Sequence, residues 1–367
     1  MITYVKDEVS IPTRIYFCGF RFQASAHFER VTLRDIAAKA GVHYTTISMA
    51  LRNHPSIPVE TRARLRKLAC EMAYQPDPML TALGTYRRAV QPTARLSTLA
   101  YLGCYSRPEM DEIGPVAVSV LKGCQERSEE LGFNLEYIWM KEPGISTARW
   151  NKILYTRNPA GIIIAPMPEG RSHLRIDFSR FPAVKIEQAL VWPRLHALGN
   201  NQYKCIQLGM REAHRLGYRR MGLAMRQAYN EQVDRLWSAG LWAEQEYYPS
   251  KNWVRPYLPR ELNLTTFSRW MKKERPEVIF THHYRRIPAY LQQLGYSIPD
   301  DVGVIDLDLQ EFSGARAGIR QNHAGLGAAT IDQLVSLIQR NERGFPQVPR
   351  LTLLEGSWFF GNSVKRR

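Results

Sequence analysis

Tyr44, Thr45, Thr46, Ser48 and Met49 crowd into one short stretch that also carries Ile47 and Leu51 at i, i+4 spacing. Wound as a helix, the two aliphatic residues turn to a core while the hydroxyls and the thioether face outward. Such an outward row suits base edges and phosphate oxygens, which are met by short donors and acceptors at close range. Tyr44 and Thr45, at the start of the stretch, are expected to reach base edges. Thr46, Ser48 and Arg52, with Thr32 at an earlier helix start, are expected to touch phosphates.

Other reactive constellations are weaker. His282 and His283 are adjacent, but neighbouring side chains at a strand end point to opposite sides. No further Cys or His stands at ligand spacing around them, so no metal is expected. Asp306 and Asp308 form a strand-end pair expected to point apart, and no nucleophile-and-base signature accompanies them, which disfavours an enzyme such as a sugar hydrolase. No GxGxxG or P-loop follows an apolar run, and no cofactor is expected. Cys18, Cys70, Cys104, Cys124 and Cys205 are scattered, with no CxxC pair, which points to a reducing cytoplasm. The 367 residues include 50 Lys and Arg against 34 Asp and Glu, a net charge of +16 that favours an acidic partner such as nucleic acid. No apolar run reaches membrane-span length, so no membrane partner is expected. Ile15 to Phe20, bracketed by Arg14 and Arg21, is too short for a signal peptide.

The outward row needs elements to hold it. Thr32 can cap a helix with Asp35 three residues on, and Leu33, Ile36, Ala37 and Ala40 then share one face. Gly41 permits a sharp turn into the second helix. Two short helices joined this way make a helix-turn-helix, although spacing alone leaves an ordinary helical hairpin open. Ile57, Thr61, Leu65, Leu68 and Met72 mark a third helix with Arg62, Arg64, Arg66 and Lys67 on its exposed side. Asp77 and Pro78 then start a two-turn segment with Met79 and Leu83 on one face. Beyond Leu96, strand-like runs (Leu99 to Leu102, Leu135 to Ile138, Ile162 to Ala165, Met221 to Met225, Val278 to Phe280, Val302 to Leu307) alternate with helical segments. That alternation predicts parallel sheets with crossover helices. Leu131-Gly132-Phe133, Leu216-Gly217-Tyr218 and Leu294-Gly295-Tyr296 repeat one helix-closing corner.

With VTLRDIAAKAGVHYTTIS, Thr61-Arg62 and AYQP at Ala73 to Pro76 in this order, the chain closely resembles the lactose-repressor (LacI/GalR) family of bacterial transcription regulators. Later landmarks resemble the family's periplasmic-binding-protein-like domain: Gln202 to Tyr218, DVGVIDLD at Asp301 to Asp308, IRQN at Ile319 to Asn322, and LLEGSWFFGNSV at Leu353 to Val364 as its closing strand. The resemblance implies a small all-α helix-turn-helix domain joined to an α/β domain of two lobes with doubly wound parallel sheets. It divides the chain into an extension of unknown role (1–30), a DNA-binding domain (31–76), a hinge helix and linker (77–95), and an effector-binding and dimerisation domain (96–367).

What the resemblance implies about function is a cytoplasmic homodimeric repressor that binds a pseudo-palindromic operator in double-stranded DNA under control of a small-molecule effector, sugars among the candidates. Met79 and Leu83 would lie at the hinge, with Leu83 as the family's minor-groove wedge. Met49 stands where the family often has a guanine-reading arginine and would offer apolar contact instead. His43 replaces the usual serine cap. Tyr105, Ser106, Asn201, Arg235, Trp237, His283 and Asp308 match effector positions. Trp237 takes the place of the family's arginine, whose clamp would move to Arg235, and His282-His283 replace an Asn-Asp pair, a departure from sugar recognition. The rival reading is a solute-binding protein that shares the two-lobed fold without regulating genes.

Overall fold

The computed structural model describes residues 31–51, 54, 56–72, 74, 97–106, 115–140, 145–167, 172–310 and 313–367. Three helices come first: α1 (Leu33–Ala40), α2 (Tyr44–Leu51) and α3 (Val59–Glu71). Their apolar faces meet around Ile36, Ala37, Ile47, Ala50, Leu65 and Ala69, the set that 3.6-residue periodicity demands. Leu33, Ala40, Ile57, Leu68 and Met72 close its margin.

The rest forms two lobes. In the first, β1 (Ser97–Gly103), α4 (Pro115–Glu130), β2 (Phe133–Trp139), α5 (Thr147–Arg157) and β3 (Gly161–Ile164) follow in order. They continue into β4 (Ser172–His173), β5 (Ala183–Ile186), β6 (Leu190–Trp192) and β7 (His196–Asn200). The chain then crosses into the second lobe with α6 (Gln202–Arg215), β8 (Met221–Leu223), α7 (Gln227–Gln232), α8 (Leu236–Gln245) and α9 (Leu264–Glu274). Next come β9 (Val278–Thr281), α10 (Arg286–Gln293), β10 (Gly303–Asp306) and β11 (Ala317–Arg320). α11 (His323–Arg340) returns to pack on α4 and on the first sheet, and β12 (Leu351–Leu354) and β13 (Ser357–Phe359) finish the fold.

The first sheet has the order β12-β7-β5-β3-β1-β2 and the second β13-β11-β10-β9-β8. All pairings in them are parallel except that of β13 with β11. Successive residues of β1 feed opposite cores, Leu99 and Tyr101 one, Ala100 and Leu102 the other. A strand covered on both faces reads as a continuous apolar run, which is why the sequence announces it. The three Leu-Gly-aromatic corners turn through glycines at φ 74°, 103° and 82°. LLEGSWFFGNSV departs from its expectation: it holds two strands in different sheets, separated by Glu355-Gly356, so the chain crosses once more between the lobes. Among the described residues no helix is long and apolar enough to cross a membrane, and no group of three or more His, Cys, Asp or Glu could hold a metal ion.

Candidate nucleic-acid interface and interlobe cleft

Both arms of the capping box are made at α1: Thr32 Oγ1 accepts from the Asp35 amide at 3.4 Å, and an Asp35 carboxylate oxygen accepts from the Thr32 amide at 2.7 Å. The Thr32 hydroxyl also donates to that carboxylate at 2.7 Å, which holds Asp35 below its ordinary pKa. Thr32 is therefore a cap whose exposed hydroxyl is engaged with Asp35 on both sides. Gly41 ends α1 at φ 67°, with its amide donating to Ala37 O.

His43, which stands where the family has a serine cap, supplies a cap of its own. Its Nδ1 accepts from the Thr45 amide at 3.4 Å and lies 2.8 Å from Thr45 Oγ1. Tyr44 is 44% exposed, its ring packed against His43 with Arg34 near its face. Tyr44 and Thr45 thus stand outward at the N-terminus of α2, and Thr46, Ser48 and Met49 are half-buried beside the core residues Ile47 and Ala50. Arg66 of α3 donates to Leu51 O at 3.4 Å, tying the third helix to the end of the second. A helix that shows polar groups at its N-terminus and is braced from behind has the geometry of a major-groove reader. Arg52, Met79 and Leu83 lie outside the described residues.

Strand carboxyl ends of both lobes face the crevice between them, where α/β folds place ligands. From the first lobe come half-buried Tyr105 and Ser106, after β1. From the second come His282 and His283 after β9, and Asp308 after β10. Both imidazoles pack on Tyr229, one stacked at 5.1 Å and one edge-on at 4.9 Å, and Arg226 lies over the same ring. The expected opposite orientation of the two histidines fails because both lie past the strand end, where alternation no longer applies. Burial, then His282, Arg226 and Arg286, push His283 down to about 3, so it is a neutral ring whose Nε2 accepts from the Arg226 amide.

Asp306 and Asp308 do part: Arg316 pairs with Asp306, and His323 Nε2 lies 2.7 Å from Asp308 Oδ1. Asp308 also accepts from Gln310 at 2.8 Å and is buried, so its carboxylate is largely spent on the protein itself. Of three further effector candidates, two hold structural positions and the third stands at an exposed turn. Asn201 caps α6 by accepting from the Lys204 amide. Trp237 is 2% exposed within the second lobe's core, because the side of α8 that carries it faces the sheet. Arg235 is exposed, in a left-handed turn with Asp234 before α8.

Sequence reasoning missed the groups that join the lobes. Gln232 donates to Met167 O across the crevice at 3.0 Å. Lys185, lowered by burial and by Arg194, is drawn back up by Asp234 of the other lobe. Glu187, Asn200 and His323 gather where the chain changes lobes. AVKI and HALGN, which end beside Glu187 and Asn200, were the available signal.

Family models match at two places: "Bacterial regulatory proteins, lacI family" over residues 32–77 and "Periplasmic binding protein-like domain" over residues 210–364. The HTH-type transcriptional regulator DegA of Bacillus subtilis (strain 168) is 27% identical over 136 residues, 37% of this chain and 36% of that protein. The matched stretch is thus about a third of this curated relative's length. Among solved structures, the lac repressor dimer bound to operator and the anti-inducer ONPF aligns at TM-score 0.53 and 17% identity, over 91% of this chain and 99% of that one. A transcriptional regulator CelR–cellobiose complex aligns at TM-score 0.54 and 16% identity, over 91% and 100%. At such identities the structural likeness speaks for the fold.

Proposed function

The chain belongs to the lacI family of bacterial regulatory proteins, and from that premise we propose that it is a homodimeric, sequence-specific repressor of transcription whose operator affinity is set by a small molecule between its lobes. The observation that carries this reading is the braced helix α2, with Tyr44 and Thr45 turned outward at its start, in one chain with a two-lobed domain. Tyr44 and Thr45 read base edges, Met49 offers apolar contact, and Thr46, Ser48 and Arg52 hold phosphates. Met79 and Leu83 act at the hinge between the two domains.

Effector and operator act on each other by linkage. A ligand that prefers one lobe arrangement shifts the population of that arrangement, and with it the spacing of the two DNA-reading units in the dimer. Tyr105, Ser106 and His283 are the effector contacts, with Tyr229 and Arg226 beside them. The cellobiose and ONPF of the similar structures support a sugar-type effector, whereas the imidazole pair packed on Tyr229 offers a flatter wall than a hydroxyl-binding carboxylate would.

Retention of fragmented genomic DNA by the purified chain, followed by sequencing, tests the regulator. Enrichment of a few fragments sharing an inverted repeat is expected. Uniform retention of all sequences at every salt concentration would remove the proposal and leave only electrostatic binding.

A further inference from the structure

The chain passes between the lobes at Asn200-Asn201, at Gln321-Asn322 and at Glu355-Gly356. A buried polar cluster fills the place where these passages meet. His323, the first residue of α11, has one ring nitrogen 2.7 Å from Asp308 Oδ1 of the second lobe and the other 3.4 Å from Asn200 Nδ2 of the first. Glu187, just past β5, holds a left-handed φ of 64°, a conformation that is strained for a residue with a Cβ. Its Oε2 is buried without a hydrogen-bond partner, 3.4 Å from where a Cβ on Gly199 would sit. Asn200 Oδ1 and Gln202 Oε1 are likewise buried and unpartnered, on side chains 1% and 3% exposed. Three acceptor oxygens therefore lack a donor in one region, and buried polar atoms are rarely left so. A carboxylic proton is the smallest donor that relieves the shortage.

We propose that Glu187 is a proton-linked switch at the lobe junction, protonated in the lobe arrangement described here and ionised when the lobes turn and admit water. Burial lifts its carboxyl to about 7, helped by Asp308 and opposed by the Asn200 amide, His323 and Gln202. His323 stays above its ordinary range: burial works against its charge, and Asp308 and Glu187 outweigh it. From α6 the neutral Cys205 faces the same region, its thiol pushed up to about 12 by burial, with Glu355 of the third passage also near. In water the carboxyl of Glu187 titrates near its ordinary 4.5. The described arrangement thus gains least cost from Glu187 below about pH 4.5 and loses ground as pH rises from there toward about 7, above which the bias is constant. Within that window the ratio of the two arrangements changes by up to about tenfold per pH unit. Only the consequence for operator affinity rests on the repressor reading; the proton uptake is a property of the junction.

The experiment compares the full chain with Glu187→Gln by infrared difference spectroscopy and by the distance between labels on the two lobes, from about pH 5 to about pH 8. The wild type should gain a protonated-carboxyl band as pH falls through about 7, and its interlobe distance should follow pH. Glu187→Gln should lose that band and hold the described arrangement throughout, because the amide donates and never ionises. The comparison separates Glu187 from Asp306, whose carboxyl is also raised by burial, and from His323, which gives no carboxyl band. A wild-type band unchanged in Glu187→Gln, or an interlobe distance with the same pH response in both proteins, overturns the proposal. Uniform DNA retention beside an intact carboxyl titration would overturn the repressor reading and support the switch.

Discussion

At the scale of single residues, the protein spends its polar groups on itself before any partner arrives. Thr45 is the instructive case: its hydroxyl sits 2.8 Å from His43 Nδ1, so reaching a base edge means leaving that contact. Base readout by Thr45 is then a difference between two hydrogen bonds, worth less than a fresh one. Thr45→Ala is expected to relax preference at one base pair per half-site by about 1 kcal/mol, the low end for base contacts, read from affinities for a panel of single-base operator variants. An unchanged preference order would confine Thr45 to capping α2. Trp237 makes the opposite point. Its place before Gly240 fits a cleft residue in sequence, yet the ring is core, and a lone sequence cannot tell which side of α8 meets the sheet. Trp237→Ala should lower unfolding stability by about 3–5 kcal/mol in denaturant titrations. A variant of native stability that merely lost effector response would put the ring back at the cleft.

At the scale of elements, signals carried by backbone chemistry and by unbroken apolar runs were legible, and strands that carry polar residues were not. Thr32, Asp35 and Gly41 form the start and stop expected of them because caps are local, needing only neighbours in the chain. Thr32→Ala should cost α1 about 1 kcal/mol. Gly41→Ala should cost about 1–2 kcal/mol from its left-handed φ alone, since nothing lies within 4 Å of the added Cβ. Amide exchange across residues 33–51 of the full chain measures both, and unaltered protection in either variant would deny the cap its role. β1, β3, β8, β9 and β10 stood out as apolar runs, whereas β5 is interrupted by Lys185 and β7 opens on His196 and ends on Gly199-Asn200. Glu187 follows the first of those strands and Asn200 ends the second, so missing the strands meant missing the junction. Glu355-Gly356 was read through as part of one strand because the apolar residues on either side belong to different sheets, which no local pattern announces.

At the scale of the whole molecule, lobe arrangement must reach DNA through the 77–95 stretch, and that stretch has its own arithmetic. A helix over Pro78 to Leu83, as the sequence predicts, would be far below the ~12–15 residues at which an isolated helix becomes even marginal, so it would need a partner. In the proposed dimer its twin supplies one when the two DNA-reading units stand at operator spacing. Leu83 would then enter the central base step, where unstacking costs a few kcal/mol that added backbone contacts must offset. The effector need only move the lobes enough to spoil this pairing, a small geometric change with a large effect on affinity. Leu83→Gly should therefore lose DNA bending and much of the specific affinity. It should keep non-specific, salt-sensitive binding, which depends on the basic side chains of α1 and α3 and not on the wedge. A bending assay run beside specific and non-specific affinities at several salt concentrations separates the two contributions. Equal bending and an unchanged specificity ratio would mean that Leu83 only packs against its own domain, and that the lobes reach the operator by some other route.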